Sequence, residues 1–371
     1  MTRLYLFLLL LCAQTVMAQS PNPATAQPLS ACLDSFFHAQ PAGTPGFALS
    51  IEKRGEVIYR NAFGLADLNT HTPLDSTSNF RMASVSKQFT AMGILLLEKD
   101  GALTLDDPIG RWLPELPAAL GNRILIRHLL THSSGLPDYE SLIPPTQTRQ
   151  VLDEDVIHLL ATRDSTYFPP GTRFRYSNSG FCLLALIIER ASHQPFAAFI
   201  RERIFLPLHM DHSAIYEEGH PIYHRAMGYA KDSTGAINPS DQSVTSATKG
   251  DGGVYTSLID YSKWTRALQE ARLVPLPAVF RRLRFPIADI SDSYYAAGWF
   301  ITGNSPVVLF HSGSTCGFAN AVMQIPGDEW SITYFSNLAD NTPPFKEIIN
   351  ILKRAGMEDL SAALNLQDLT R

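Results

Sequence analysis

A serine hydroxyl becomes a nucleophile when a neighbouring group takes its proton. One stretch of this chain has the residues for that: Arg81-Met82-Ala83-Ser84-Val85-Ser86-Lys87-Gln88-Phe89-Thr90-Ala91-Met92. Ser84 and Lys87 stand three apart at the head of an apolar run whose spacing predicts a helix over residues 89–97, ending near Gly101. Residues i and i+3 share a helix face, so the amine can reach the hydroxyl. Free backbone N–H groups in the first turn also favour developing negative charge there. The same spacing recurs at Ser50/Lys53 and Ser246/Lys249. Ser50 lies in an alternating, strand-like run, where i and i+3 point to opposite faces. Ser246 lies in a polar loop ending at Gly250. Ser84 is therefore the candidate nucleophile; the plain alternative is a serine capping a core helix.

Two further stretches carry compatible chemistry. In Pro169-Pro170-Gly171-Thr172-Arg173-Phe174-Arg175-Tyr176-Ser177-Asn178-Ser179-Gly180, the Tyr176 phenol can act as general acid or base. Asn178 offers both a donor and an acceptor. In Leu309-Phe310-His311-Ser312-Gly313-Ser314-Thr315-Cys316-Gly317-Phe318, a strand ends in a Gly-bearing segment whose N–H groups could cradle an oxyanion. Taken singly, these read equally as a helix-entry loop and a hairpin turn.

Ser84-Val85-Ser86-Lys87, Tyr176-Ser177-Asn178 and His311-Ser312-Gly313, in that order, resemble the three motifs of the class C β-lactamase-like serine hydrolases. Residues 126–136, containing His128 and His132, and residues 252–257 are similar to the family too, and the likeness runs over about residues 45–337. The resemblance implies an α+β, β-lactamase/transpeptidase-like fold and an acyl-enzyme on Ser84. Lys87 and Tyr176 would share the proton transfers, with either as base. Asn178, His311, Ser312, Gly313 and Ser314 would bind substrate, and the N–H groups of Ser84 and Ser314 would hold the oxyanion. His128 and His132 are expected to anchor a loop. True β-lactamases carry lysine at the position of His311, a permanent cation for the substrate carboxylate. A histidine, with an ordinary pKa of about 6.5, is mostly neutral at pH 7. The expected substrates are D-amino-acid peptides or amides, as in DD-carboxypeptidases and D-aminopeptidases. A carboxylesterase is the alternative; a true β-lactamase and a non-catalytic binding protein rank below it.

The elements that must position these residues follow from periodicity. Residues 29–39 suggest a short amphipathic helix, and residues 47–54 and 56–63 a hairpin about Gly55. Between residues 103 and 269 the pattern is mostly helical: 124–130, 151–162, 180–192, a start at Pro195-Phe196, and a helix capped by Ser257 with Asp260. Strand patterns return at 296–301, 307–310, 318–325 and 331–335, and residues 344–354 close the domain as a helix. Strands at both chain ends predict one antiparallel sheet flanked by the terminal helices. The lobes are then a sheet lobe, about residues 29–82 and 290–360, and a helical lobe, about 103–270, with Ser84 at their junction.

The 371 residues are 45% hydrophobic and 18% charged, with a formal net charge of −5, which reads as one globular domain and argues against nucleic acid as partner. Residues 1–18 carry Arg3, an apolar run and Val16-Met17-Ala18, the pattern of a cleavable leader. Residues 19–28 read as a linker and 361–371 as a tail. An exported bacterial protein, periplasmic or secreted, without a later membrane span is expected. The remaining cysteines, Cys32, Cys182 and Cys316, are odd in number and make no disulfide framework. Pro221 interrupts the histidines at 220 and 224, so no metal and no cofactor is expected.

Overall fold

The computed structural model describes residues 29–37, 43–288, 290–302, 307–327, 329–339, 341 and 344–355. The leader, linker and tail read from the sequence lie outside them. At the centre is an eight-stranded antiparallel sheet. Its order is Phe285–Pro286, Ser293–Ala296, Trp299–Thr302, Val308–Thr315, Phe318–Ile325, Trp330–Ser336, Phe47–Lys53 and Glu56–Phe63. The N-terminal hairpin thus joins the C-terminal strands, with Leu49 opposite Tyr334 and Gly313 opposite Asn320.

Both faces of the sheet are covered, which is why Phe318–Ile325 and Trp330–Ser336 are buried throughout. Phe47, Leu49 and Ile51 point to one side, against Leu33 and Phe37 of the Leu29–Phe37 helix and Ile348, Ile349 and Leu352 of the Phe345–Arg354 helix. Ala48, Val322 and Phe335 point to the other, joining the core of the helical lobe. That lobe is centred on the Lys87–Lys99 and Asn178–Ser192 helices, buried almost all round.

The expected helical block also contains short strands, Ala214–Ile215, Tyr229–Lys231, Ile237–Pro239 and Val254–Thr256. Val254–Thr256 pairs with Phe80–Arg81 just ahead of Ser84. Two or three residues are too few to display a period of two, so tertiary pairing alone creates them. Residues 296–301, expected as one strand, are split by a turn at Ala297 and Gly298, with φ of 49° and 85°. A helix at Leu276–Leu283 was not anticipated.

Ile348 is fully buried between the terminal helices and the sheet. Ile348→Ala removes that packing and should cost about 2–5 kcal/mol in denaturant unfolding. Because the site lies across the sheet, the rate at which Ser84 is labelled should stay unchanged in the folded variant.

Candidate active site

The chain leaves the Phe80–Arg81 strand and turns at Ala83, whose φ of 48° is left-handed and costs a residue with a Cβ roughly 1–2 kcal/mol. Ala83–Ser86 form a single 3-10 turn, and the α-helix begins at Lys87. A 3-10 turn has three residues per turn, so positions i and i+3 eclipse. Lys87 therefore sits over Ser84, and its Nζ donates to Ser84 Oγ at 2.9 Å.

Lys87 is completely buried. An ammonium has three donors and no acceptor. Besides Ser84, they reach Asn178 Oδ1 at 2.8 Å and the Asp251 carbonyl at 2.9 Å. Burial is the largest influence on this amine and opposes its charge, yet Tyr176 and the Asp251 carboxylate together outweigh it, leaving the amine above the ordinary lysine range. The other two Ser-x-x-Lys pairs are not assembled. Ser50 Oγ donates to Glu52, and Lys249 pairs with Glu217.

Asn178 opens the Asn178–Ser192 helix, and its N–H donates to Asp138 Oδ2 at 3.0 Å. Its Nδ2 donates to Glu140 Oε1 at 3.2 Å, which turns Oδ1 toward Lys87. Tyr176 lies two residues earlier. Lys87 Nζ is 5.1 Å from its ring centroid, and the phenol is among the groups that hold the amine in its charged form.

The Val308–Thr315 strand supplies the third side. A Cβ on Gly313 would stand 2.3 Å from the Met82 carbonyl and 3.0 Å from Ser84 N, so only glycine lets the strand approach the nucleophile this closely. Ser314 lines the cleft; Ser312 is exposed and lies outside its lining. His311 is 1% exposed and is not among the residues that line the cleft. Its Nδ1 lies 2.6 Å from the Ser312 carbonyl, an acceptor only, so Nδ1 carries the proton and Nε2 accepts from the Tyr295 hydroxyl at 3.2 Å. Burial, reinforced by Lys87, pulls the imidazole down to about 3, so it is neutral.

The cleft over Ser84 is open to solvent, spans about 340 Å³ with that solvent included, and its wall includes Arg81, Glu140, Thr248 and Asp251. Sequence motifs did not single these out, although Arg81 and Asp251 flank residues that they did. Arg81 is 2% exposed and committed to the Ser246 carbonyl at 2.7 Å. Glu140 keeps solvent contact at the rim, while crowding by protein, then Asp138 and Asp251, raises its carboxyl above the ordinary range. Cys182 and Cys316 carry free thiols, and among the described residues no cluster of His, Cys, Asp or Glu could hold a metal.

The family model described as Beta-lactamase matches residues 33–355. The chain is 33% identical to Penicillin-binding protein 4* of Bacillus subtilis over 308 residues, 78% of this chain and 67% of that one. It spans 62–67% of the length of the first curated relatives that it matches. The fold is similar to the octameric penicillin-binding protein homologue from Pyrococcus abyssi, with TM-score 0.74 and 26% identity, covering 86% of this chain and 75% of that chain. It is also similar to D-amino acid amidase from Ochrobactrum anthropi, with TM-score 0.72 and 25% identity, covering 88% of this chain and 98% of that one.

Gly313→Ala places a methyl group against the backbone on either side of Ser84. Displacing that turn by about 1 Å should slow labelling of Ser84 by roughly 100-fold, measured with a fluorophosphonate probe. A labelling rate equal to wild type would show that the close approach is not needed.

Proposed function

The chain belongs to the Beta-lactamase family of serine hydrolases, and from that premise we propose that Ser84 is acylated by D-amino-acid amides or peptides bearing a free amino group. The observation that carries this is the contact of Lys87 Nζ with both Ser84 Oγ and Asn178 Oδ1 at the floor of the cleft. Ser84 Oγ attacks the substrate carbonyl carbon, and its proton passes to Tyr176. Lys87, with all three donors spent, holds Ser84 Oγ and Asn178 in place for that transfer. The tetrahedral oxyanion rests on the N–H groups of Ser84 and Ser314, each worth about 3–4 kcal/mol. The phenol returns its proton to the leaving amine as the C–N bond breaks. Water then attacks the ester, losing a proton to the same base, which passes it to Ser84 Oγ as the Oγ–C bond breaks and the acid departs.

Two features support a substrate with an ammonium group. Glu140 offers the cleft an exposed carboxylate that no ion pair among the described residues ties up. The third motif offers no charge for a substrate carboxylate, because His311 is neutral and buried. The likeness to D-amino acid amidase points the same way. Asn178 both orients Lys87 and stands beside Glu140, so it lies within reach of the substrate amide. Export rests on residues 1–18.

The decisive assay compares D-alaninamide, L-alaninamide, N-acetyl-D-alanyl-D-alanine and p-nitrophenyl acetate with wild type and Ser84→Ala. D-alaninamide should be turned over at least ~10-fold faster than the L form and the N-blocked peptide, and Ser84→Ala should abolish turnover. Preference for the N-blocked peptide would indicate a carboxypeptidase; turnover of the ester alone, a carboxylesterase. For the leader, the mass of the protein recovered from a bacterial host's periplasm or medium should correspond to a chain beginning at Gln19; an uncleaved chain retained in the cytoplasm would refute export.

A further inference from the structure

His132 stands at the end of the Ile126–Leu130 helix with a left-handed φ of 51° and is 1% exposed. It touches both residues that flank Tyr176. The Arg175 N–H donates to the His132 carbonyl at 2.9 Å, and the Ser177 N–H donates to His132 Nδ1 at 3.2 Å. Between these two bonds, the imidazole lies on the Tyr176 ring, with centroids 4.1 Å apart and planes at 34°. One residue thus holds the Tyr176 backbone on both sides and its ring on one face. Such bracketing exceeds what anchoring a loop requires.

From this geometry we infer that His132 is a positioning residue that sets the place and polarity of the Tyr176 phenol. The inference rests on the proposed role of Tyr176.

Because Nδ1 accepts from a backbone N–H, the neutral ring carries its proton on Nε2. That N–H has no hydrogen-bond partner among the described residues. A buried polar group left without a partner costs about 1–3 kcal/mol, an outlay that folded proteins rarely accept outside functional sites. The titratable groups facing the pair are Lys87 from its helix, Tyr295 from the Ser293–Ala296 strand and His311 from the Val308–Thr315 strand. Phe174, Phe181 and Phe300 complete the wall. Burial, then Lys87 and His311, holds His132 well below the ordinary histidine range, so it stays neutral while the phenol exchanges its proton. A charged imidazole here would instead compete with Lys87 as the phenolate's counter-charge.

The test uses the phosphonylation rate of Ser84 by a fluorophosphonate, which reads nucleophile activation whatever the natural substrate. His132→Phe keeps a ring and loses the acceptor. His132→Asn keeps an acceptor near Nδ1, tolerates positive φ, and loses the ring. Both should react at least ~10-fold more slowly than wild type while still folded by circular dichroism, with the Asn variant the faster. In His132→Phe the midpoint of the rate's pH profile should move upward, because an apolar ring replaces a polar one against a group that must ionise. Either folded variant reacting within about twofold of wild type, with an unmoved midpoint, overturns the inference. If His132→Phe does not fold, the Asn variant decides alone by the same criterion. A wild-type Ser84 that does not react at all would instead count against the proposed function.

Discussion

A buried ammonium has to be surrounded by acceptors, and much of this molecule is arranged to meet that demand at Lys87. Leaving such a charge without partners costs several kcal/mol. Its three acceptors come from remote parts of the chain: Ser84 from its own turn, Asn178 from the start of another helix, and the Asp251 carbonyl from a loop. Each acceptor is itself held. Asn178 is oriented by Asp138 and Glu140. The loop bearing Asp251 is tied by the Lys249 N–H to buried Asp153 at 2.9 Å and by Thr90 Oγ1 to the Gly250 carbonyl at 2.7 Å. A Cβ on Gly250 would lie 2.2 Å from the Phe181 carbonyl, so the loop is also wedged by shape.

Close approach is the second constraint. The sheet meets the Ser84 turn at Gly313 and at Gly298, where an added Cβ would come within 2.7 Å of Gln88 Cα. Side chains on those strands would hold sheet and helix apart and open the gap where the oxyanion is proposed to rest. The same contact explains why the Ser293–Ala296 and Trp299–Thr302 strands turn sharply at Gly298, with its φ of 85°.

Much of this was legible in the residues. Long periodic segments such as 180–192 and 318–325 carry enough repeats to declare their type, and the alternation of 47–53 and 56–63 placed the hairpin. The Ser84–Lys87 spacing predicted a shared helical face; the contact arises through a 3-10 turn, where the eclipse is closer than on an α-helix. Short strands such as Val254–Thr256 were not legible, because two or three residues cannot display a period of two and only their pairing, here with Phe80–Arg81 and Ala214–Ile215, defines them. Nor was the orientation of His311. Its motif suggested a side chain in contact with substrate, and the fold buries it against Tyr295 and Phe300 beside Tyr176. Glu140 and Asp251 carried no spacing signal, since loops bring them to the cleft.

The sheet places Phe47–Lys53 between Trp330–Ser336 and Glu56–Phe63, and the Gly46 N–H donates to Asn337 Oδ1 across 291 residues. A ribosome releases the Ser84 segment long before the strands that complete its surroundings. The helical lobe can gather from contacts between sequence neighbours, but the cleft cannot close until nearly the last strand emerges. A nascent chain of this topology therefore lacks an assembled cleft for most of its synthesis.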